Sequence, residues 1–130
     1  MKTLIVEDDF TSRLLMQELL KSYGPAHIAV NGKEAVEAVR LALEADEPYD
    51  LICLDIMMPE MDGQQALKEI RGMEEAKGII PAHTKIVMTT ALGDPKNVWA
   101  AHRGKSDGYL LKPVNRAKLL EELRRLKLIA

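Results

Sequence analysis

The fold is decided by the stretch at residues 50–55, which reads DLICLD. Four consecutive apolar residues between two aspartates have the length of a strand. A run without polar alternation is typical of a strand that helices cover on both sides of a sheet. Parallel sheets are built this way, because their crossover connections place helices on the two faces. The stretch therefore predicts a central strand of an α/β domain that ends at Asp55.

Strand-like and helix-like segments alternate on both sides of this run. Short aliphatic runs at residues 3–6, 26–30, 85–90 and 108–111 predict four further strands. Longer segments of helical period lie between them. Alternation of this kind predicts a five-stranded parallel sheet in a doubly wound α/β domain with helices on both faces.

Apolar positions and turn residues predict where the helices lie. Residues 11–23 form the first, and Asp94-Pro95 begins a later one that carries Val98 and Trp99. Residues 72–84, with Gly78 and Pro81, predict the longest irregular connection. The last helix runs nearly to Ala130. The apolar faces are Leu14, Leu15, Leu19 and Leu20 in the first helix, Ala35, Val36, Val39, Ala42 and Leu43 in the second, and Leu119, Leu120, Leu123 and Leu126 in the last.

Length and composition narrow the class of protein. A chain of 130 residues suits one domain, and a formal net charge of -2 offers no basic face for direct nucleic-acid binding. We expect no membrane insertion and a cytoplasmic location, because no apolar run approaches roughly 20 residues and no signal peptide opens the chain. The single cysteine, Cys53, is expected to be a buried hydrophobe rather than a reactive thiol.

Polar residues follow the predicted strands at their carboxyl ends. Residues 7–9 read EDD after the first strand, Asp55 ends the third, Thr90 ends the fourth and Lys112 follows the fifth. In an open parallel sheet these ends border one crevice, where ligands bind. Carboxylates gathered there would repel one another unless a cation joined them. Mg²⁺ is the expected cation, because it prefers carboxylate and carbonyl oxygens, and the three histidines lack the spacing of a zinc site.

The chain resembles the receiver domains of bacterial response regulators, including the single-domain chemotaxis type. The matching motifs are the acidic pair Asp8-Asp9, residues 55–63 (DIMMPEMDG), the pair Thr90-Ala91, and residues 109–113 (YLLKP). Each motif alone is weak, but their order along the whole chain is specific. The resemblance implies a flavodoxin-like sheet with strand order 2-1-3-4-5 and one receiver domain over residues 1–130.

The resemblance also implies a role for each site residue. Asp55 would accept a phosphoryl group from a sensor histidine kinase or phosphotransfer protein. Asp8, Asp9, Asp55 and the main-chain carbonyl of Met57 would hold Mg²⁺, with Asp8 acting directly or through water. Lys112 would neutralise charge on the transferring group, and Thr90 would bind a phosphoryl oxygen. Movement of Thr90 would let the switch residue Tyr109 turn inward and change a partner-binding surface.

Alternatives remain open at this point. A degenerate receiver could act as a phosphate-independent interaction module. A phosphatase with an aspartyl phosphate intermediate would need an acid two places after Asp55, where Met57 stands. A flavin carrier would need a phosphate-binding loop after the first strand. The expected class of protein is a phosphoacceptor signalling domain and not an enzyme acting on other substrates. The sequence leaves open which downstream target it binds and whether it forms a homodimer.

Two features depart from the family pattern. Lys105 replaces a glycine that is usual four places before the switch aromatic. The connection at residues 72–84 is longer than usual, and an extended third helix or loop would absorb its length. The first departure concerns the turn into the last strand, and so the partner-facing surface more than the site. The second leaves the distance from Thr90 to Lys112 in the sequence undisturbed.

Overall fold

The central strand lies where residues 50–55 predict it, in a computed structural model that describes residues 1–58, 60–79, 82–91 and 106–130. The strands are β1 (Thr3–Val6), β2 (Ala26–Ala29), β3 (Leu51–Asp55), β4 (Lys85–Ala91) and β5 (Gly108–Lys112). The helices are α1 (Phe10–Leu20), continued by a 3₁₀ turn at Lys21–Tyr23, α2 (Gly32–Glu44), α3 (Gly63–Ala76) and a C-terminal helix (Arg116–Arg125).

All five strands are parallel and follow the order β2-β1-β3-β4-β5, which confirms the predicted fold class. Strand order reverses at β1, which pairs with β2 on one side and β3 on the other. The register places Val6 beside Leu54, Asp55 beside Thr89, and Ala91 beside Lys112. The carboxyl ends of β1, β3, β4 and β5 therefore lie at one edge of the sheet.

Two apolar cores cover the two faces of this sheet. One contains side chains of α2 and α3, including Val39, Leu67 and Ile70. The other contains side chains of α1 and the C-terminal helix, including Leu19 and Leu119. Alternate residues of each central strand contribute to opposite cores, so β3 is buried along its whole length. No helix in the described residues is long and apolar enough to cross a membrane.

In the part of the chain that the structure describes, each of the four α-helices directly follows an aspartate or asparagine. The side chain of that residue accepts a hydrogen bond from the N–H three positions later, which satisfies a donor that the first turn leaves unpaired. Asp62 and Gln65 add a reciprocal capping box at α3. The four caps are Asp9, Asn31, Asp62 and Asn115.

The predicted apolar face of α1 is partly wrong. Leu19 and Leu20 are buried, but Leu14 is 50% and Leu15 is 37% exposed, and Met16 takes the expected place against the sheet. Because the helix begins at the Asp9 cap, positions 16, 19 and 20 face inward at the i, i+3, i+4 spacing. The stripe expected on α2 is confirmed, with Val36 partly buried and the others buried.

Two other predicted boundaries need correction. Residues 72–76 belong to α3, so the extended helix absorbs much of the long connection. The C-terminal helix ends at Arg125 and not near Ala130, because Lys127 takes φ 61°. Its leucines are placed as predicted, with Leu119 and Leu123 buried and Leu120 and Leu126 partly buried. The helix expected after Asp94-Pro95, with Val98 and Trp99, lies outside the described residues, as do Lys105 and His102.

Candidate functional site

The acids that follow β1 separate into two groups. Glu7 and Asp8 lie at the carboxyl end of the strand, and each offers a carboxylate oxygen to a cluster with Asp55 in which the three oxygens lie within 4.8 Å of one another. Glu7 is only 3% exposed, whereas Asp8 faces solvent. The carboxylate cluster of the site is therefore Glu7, Asp8 and Asp55.

Asp9, a predicted metal ligand, caps α1 and does not belong to this cluster. Its Oδ2 accepts a hydrogen bond of 2.8 Å from the N–H of Ser12, and this bond holds the pKa of Asp9 below its ordinary value. The strand ends at Val6, so the cluster takes the first two acids of the EDD run and the helix cap takes the third. A signal was present in the sequence, since an aspartate directly before a helix is a preferred cap.

Lys112 joins β5 to the acids of β1 and β3. Its Nζ lies 2.6 Å from Oε1 of Glu7 and 3.1 Å from Oδ2 of Asp55. Burial alone would lower the pKa of Lys112, but its bond to Glu7 and the charge of Asp55 raise the pKa overall. The ammonium therefore stays charged and is held beside the Asp55 carboxylate.

Negative charge exceeds positive charge within this group. Burial and the neighbouring Asp55 raise the pKa of Glu7 to about 7, although Lys112 works in the opposite direction. Oε2 of Glu7 is buried without a hydrogen-bond partner among the described residues. Among the described residues, three carboxylates share one ammonium and one carboxylate oxygen is unsatisfied, an arrangement that fits a divalent cation and its bound water. Hard oxygen donors of this kind suit Mg²⁺.

The loop after β3 is held close to the strand end. The N–H of Met57 donates to Oδ1 of Asp55 over 3.3 Å, and the N–H of Gly63 donates to the carbonyl of Ile56 over 2.9 Å. A Cβ at Gly63 would collide with the main-chain carbonyl of Asp55, which explains why glycine begins α3. Asp55 itself is 3% exposed, so the loop and strand fix the carboxylate from several sides.

The two threonines of β4 take opposite faces of the strand. Thr89 lies beside Asp55 in the ladder and lines a cavity of 120 Å³ together with Glu7 and Lys112. Thr90 is fully buried, and its Oγ1 lies 3.5 Å from the carbonyl of Ala91. Tyr109 is 41% exposed on β5. The roles of Thr90 and Tyr109 as switch residues stay predictions.

Cys53 lies on β3 and is buried in the core that contains side chains of α1 and the C-terminal helix. It is 3% exposed, and burial raises the pKa of its thiol to about 12. A thiol with so high a pKa carries almost no thiolate at neutral pH. Its interpretation as a small hydrophobe is confirmed.

Comparison with known proteins supports the family that the sequence motifs indicate, over nearly the whole chain. The response regulator receiver domain family matches residues 3–124. The sensory/regulatory protein RpfC of Xanthomonas campestris pv. campestris is 35% identical over 123 residues, a match that covers 95% of this chain and 16% of RpfC. Chemotaxis protein CheY of Bacillus subtilis is 31% identical over 126 residues, and the match covers 95% of both chains.

A solved structure agrees with these matches. The receiver domain of the histidine kinase CKI1 from Arabidopsis thaliana, complexed with Mg²⁺ and BeF₃⁻, superposes with a TM-score of 0.80 at 29% identity and covers 97% of this chain and 89% of that one. The family match over nearly the whole chain, the 2-1-3-4-5 sheet and the acids beside Lys112 lead to one conclusion: this chain belongs to the response regulator receiver domains of two-component signal transduction.

Proposed function

We propose that residues 1–130 act as one receiver domain in which Asp55 accepts a phosphoryl group from a phosphohistidine of a sensor histidine kinase or phosphotransfer protein. The observation that carries this assignment is the position of Lys112, whose ammonium bridges Asp55 and Glu7 at 3.1 and 2.6 Å. At this edge of the parallel sheet, the Asp55 carboxylate lies beside a fixed ammonium and two further acids. This arrangement suits phosphoryl transfer better than a purely structural ion pair.

The reaction exchanges one bond to phosphorus for another. A carboxylate oxygen of Asp55 forms a bond to phosphorus as the nitrogen–phosphorus bond of phosphohistidine breaks, and the released imidazole takes its proton from solvent. Lys112 remains protonated and lies where negative charge on the phosphoryl oxygens has to be neutralised. The buried position of Asp55 fixes the direction of attack, because Met57 N–H and Lys112 each hold one of its oxygens.

Asp8, Asp55 and the main-chain carbonyl of Met57 would hold Mg²⁺, with Glu7 binding through Oε2, which no described residue hydrogen-bonds. This set replaces the Asp9 assignment. When bound, Mg²⁺ supplies positive charge that screens the three carboxylates from the incoming phosphoryl group.

An exposed apolar patch beside the site suits a protein phosphodonor. It consists of Phe10, 64% exposed, with Leu14 and Leu15, and we name it the donor patch. The patch begins two residues after Asp8, so a partner seated on it would reach the crevice. Exposed apolar clusters of this kind mark protein interaction sites. We therefore assign the donor patch to the kinase or phosphotransfer protein.

Incubation with acetyl phosphate and Mg²⁺, followed by intact-mass measurement, tests the proposed function. The parent should gain one phosphoryl group, and excess chelator should prevent the gain. Asp55→Asn should gain none, whereas the exposed control Asp46→Asn should gain one. Equal labelling of parent and Asp55→Asn would refute the assignment.

A second experiment tests the donor patch. Leu14→Asp should slow transfer from a phosphorylated histidine phosphotransfer protein without slowing labelling by acetyl phosphate, which needs no protein contact. Leu41→Asp is the matched control, because Leu41 is 52% exposed and lies on α2, whereas the donor patch lies on α1. Equal transfer to the Leu14→Asp and Leu41→Asp variants would remove the assignment.

A further inference from the structure

A buried charge cluster lies at the far side of α3 from the site loop. The guanidinium of Arg71 donates to Oε1 of Glu74 at 2.6 Å, to the carbonyl of Thr84 at 3.0 Å and to Oδ2 of Asp107 at 2.8 Å. Arg71 and Glu74 are almost fully buried. Arg71 thus ties α3 to the segment before β4 and to the residue before β5.

Asp107 is held by more than one element. Its Oδ2 also accepts the N–H of Ile86 at 2.7 Å, and its own N–H donates to the carbonyl of Ile86 at 2.8 Å. Nη2 of Arg125, in the C-terminal helix, donates to the carbonyl of Asp107 at 2.6 Å. The start of β5 is therefore fixed to β4, α3 and the C-terminal helix at one residue.

The other end of α3 contacts the phosphoacceptor loop. Gly63 donates to Ile56, and the helix backbone at Gly63 packs directly on the main chain of Asp55. Arg71 lies eight residues further along the same helix, or about 12 Å at 1.5 Å per residue. One uninterrupted helix therefore joins the Asp55 loop to the start of β5.

We propose that α3 is a lever that carries the state of Asp55 to β5, and that Arg71 is the positioning residue at its far end. A helix is stiff along its axis, so a shift of the loop at Gly63 is passed to Arg71 rather than absorbed. Arg71 moves with Asp107, since its guanidinium is buried and donates to Oδ2 of Asp107 at 2.8 Å. Tyr109 lies two residues beyond Asp107, so β5 receives the signal at its start as well as from β4. This proposal rests on the proposed phosphorylation of Asp55.

The test compares the response of β5 in two variants by backbone amide NMR, with Mg²⁺ and beryllofluoride as the phosphoryl mimic. Arg71→Met with Glu74→Met removes the link to Asp107 without leaving a buried acid unpaired. Arg125→Met is the matched control, because it also releases Asp107 but leaves α3 connected. We expect beryllofluoride to shift the amides at residues 55–58 equally in all three proteins.

The distinguishing signal is the shift at residues 108–112. In the double variant it should fall to roughly half of the parent value or less, with Arg125→Met close to the parent. A double variant with a full β5 response would overturn the lever, because a purely structural cluster changes stability and not the response. If the double variant lacks a native spectrum, Arg71→Gln with Glu74→Gln serves instead, since it removes both charges and the link to Asp107 but keeps polar side chains at the two buried positions. A parent that does not respond at residues 55–58 would refute the proposed function, not the lever alone.

Discussion

Replacement of Arg71 by methionine should destabilise the domain strongly, because it leaves Glu74 buried without its cation. The substitution removes the hydrogen bonds to Glu74, to the Thr84 carbonyl and to Asp107, at 2.6, 3.0 and 2.8 Å. Breaking a buried pair from one side costs about 3–5 kcal/mol. The Asp107 side chain is 26% exposed and regains some water, so we expect the lower end, about 3 kcal/mol.

Urea unfolding followed by circular dichroism measures this loss. With a slope of about 1–3 kcal/mol per molar urea, the midpoint of Arg71→Met should fall by about 1–3 M. Adding Glu74→Met should restore most of the loss, because an apolar pair of similar volume replaces the ion pair. Arg40→Met is the exposed control: its ion pairs with Glu37 and Glu44 lie in solvent, so its midpoint should not change measurably. An Arg71→Met midpoint equal to that of Arg40→Met would refute the reasoning.

Three further predictions concern the site. Asp8→Ala should abolish labelling by acetyl phosphate. Asp9→Ala should lower only the thermal midpoint, because Asp9 caps α1. Loss of labelling in Asp9→Ala alone would reverse the metal assignment. The second prediction concerns Glu7 with metal chelated. The folded state keeps a proton on Glu7 up to about pH 7, whereas the unfolded chain releases that proton near pH 4.5. The free energy of unfolding should therefore fall as the pH rises through this interval. Glu7→Gln should flatten that profile, and an unchanged slope would contradict the burial effect. Lys112→Ala should keep the fold but slow labelling of Asp55 by a factor of about 10 or more, as mass spectrometry over time would show; a parent-like rate would make Lys112 a structural residue.

The sheet could be predicted from the sequence because its signals are local. The uninterrupted run at residues 50–55 and the regular alternation of segments indicated covered parallel strands, and the strand ends indicated the edge that gathers Asp55 and Lys112. The order of strands came from the family resemblance. No local pattern states which strand pairs with which.

The differences between prediction and structure concern the rotation of α1 and the position of the acids along the chain by one residue. Glu7, Asp8 and Asp9 are chemically alike, so only the end of β1 and the start of α1 decide which acids enter the crevice. The position at which α1 begins also sets the rotation of the helix, so Met16 is buried and Leu14, which was predicted to be buried, is exposed. Strand and helix ends are the least certain features of any sequence pattern.

The Arg71 cluster could not be found from the sequence. Arg71 and Asp107 are 36 positions apart and lie in different elements. Arginine and glutamate three apart on a helix ordinarily form an exposed pair. Here the packing of α3 against the segment before β4 buries Arg71 and Glu74 and brings Arg71 to Asp107, which follows only from the packed structure.

The most direct test of the central claim is chemical identification of the phosphorylated residue. After labelling with acetyl phosphate and Mg²⁺, borohydride reduction converts an aspartyl phosphate to homoserine, and peptide mass spectrometry locates the change. Homoserine should replace Asp55 alone, in proportion to the phosphoryl group gained. Homoserine at Asp8 or Asp9, or a phosphoryl group on a residue that borohydride does not reduce, would contradict the assignment of Asp55 as the phosphoacceptor.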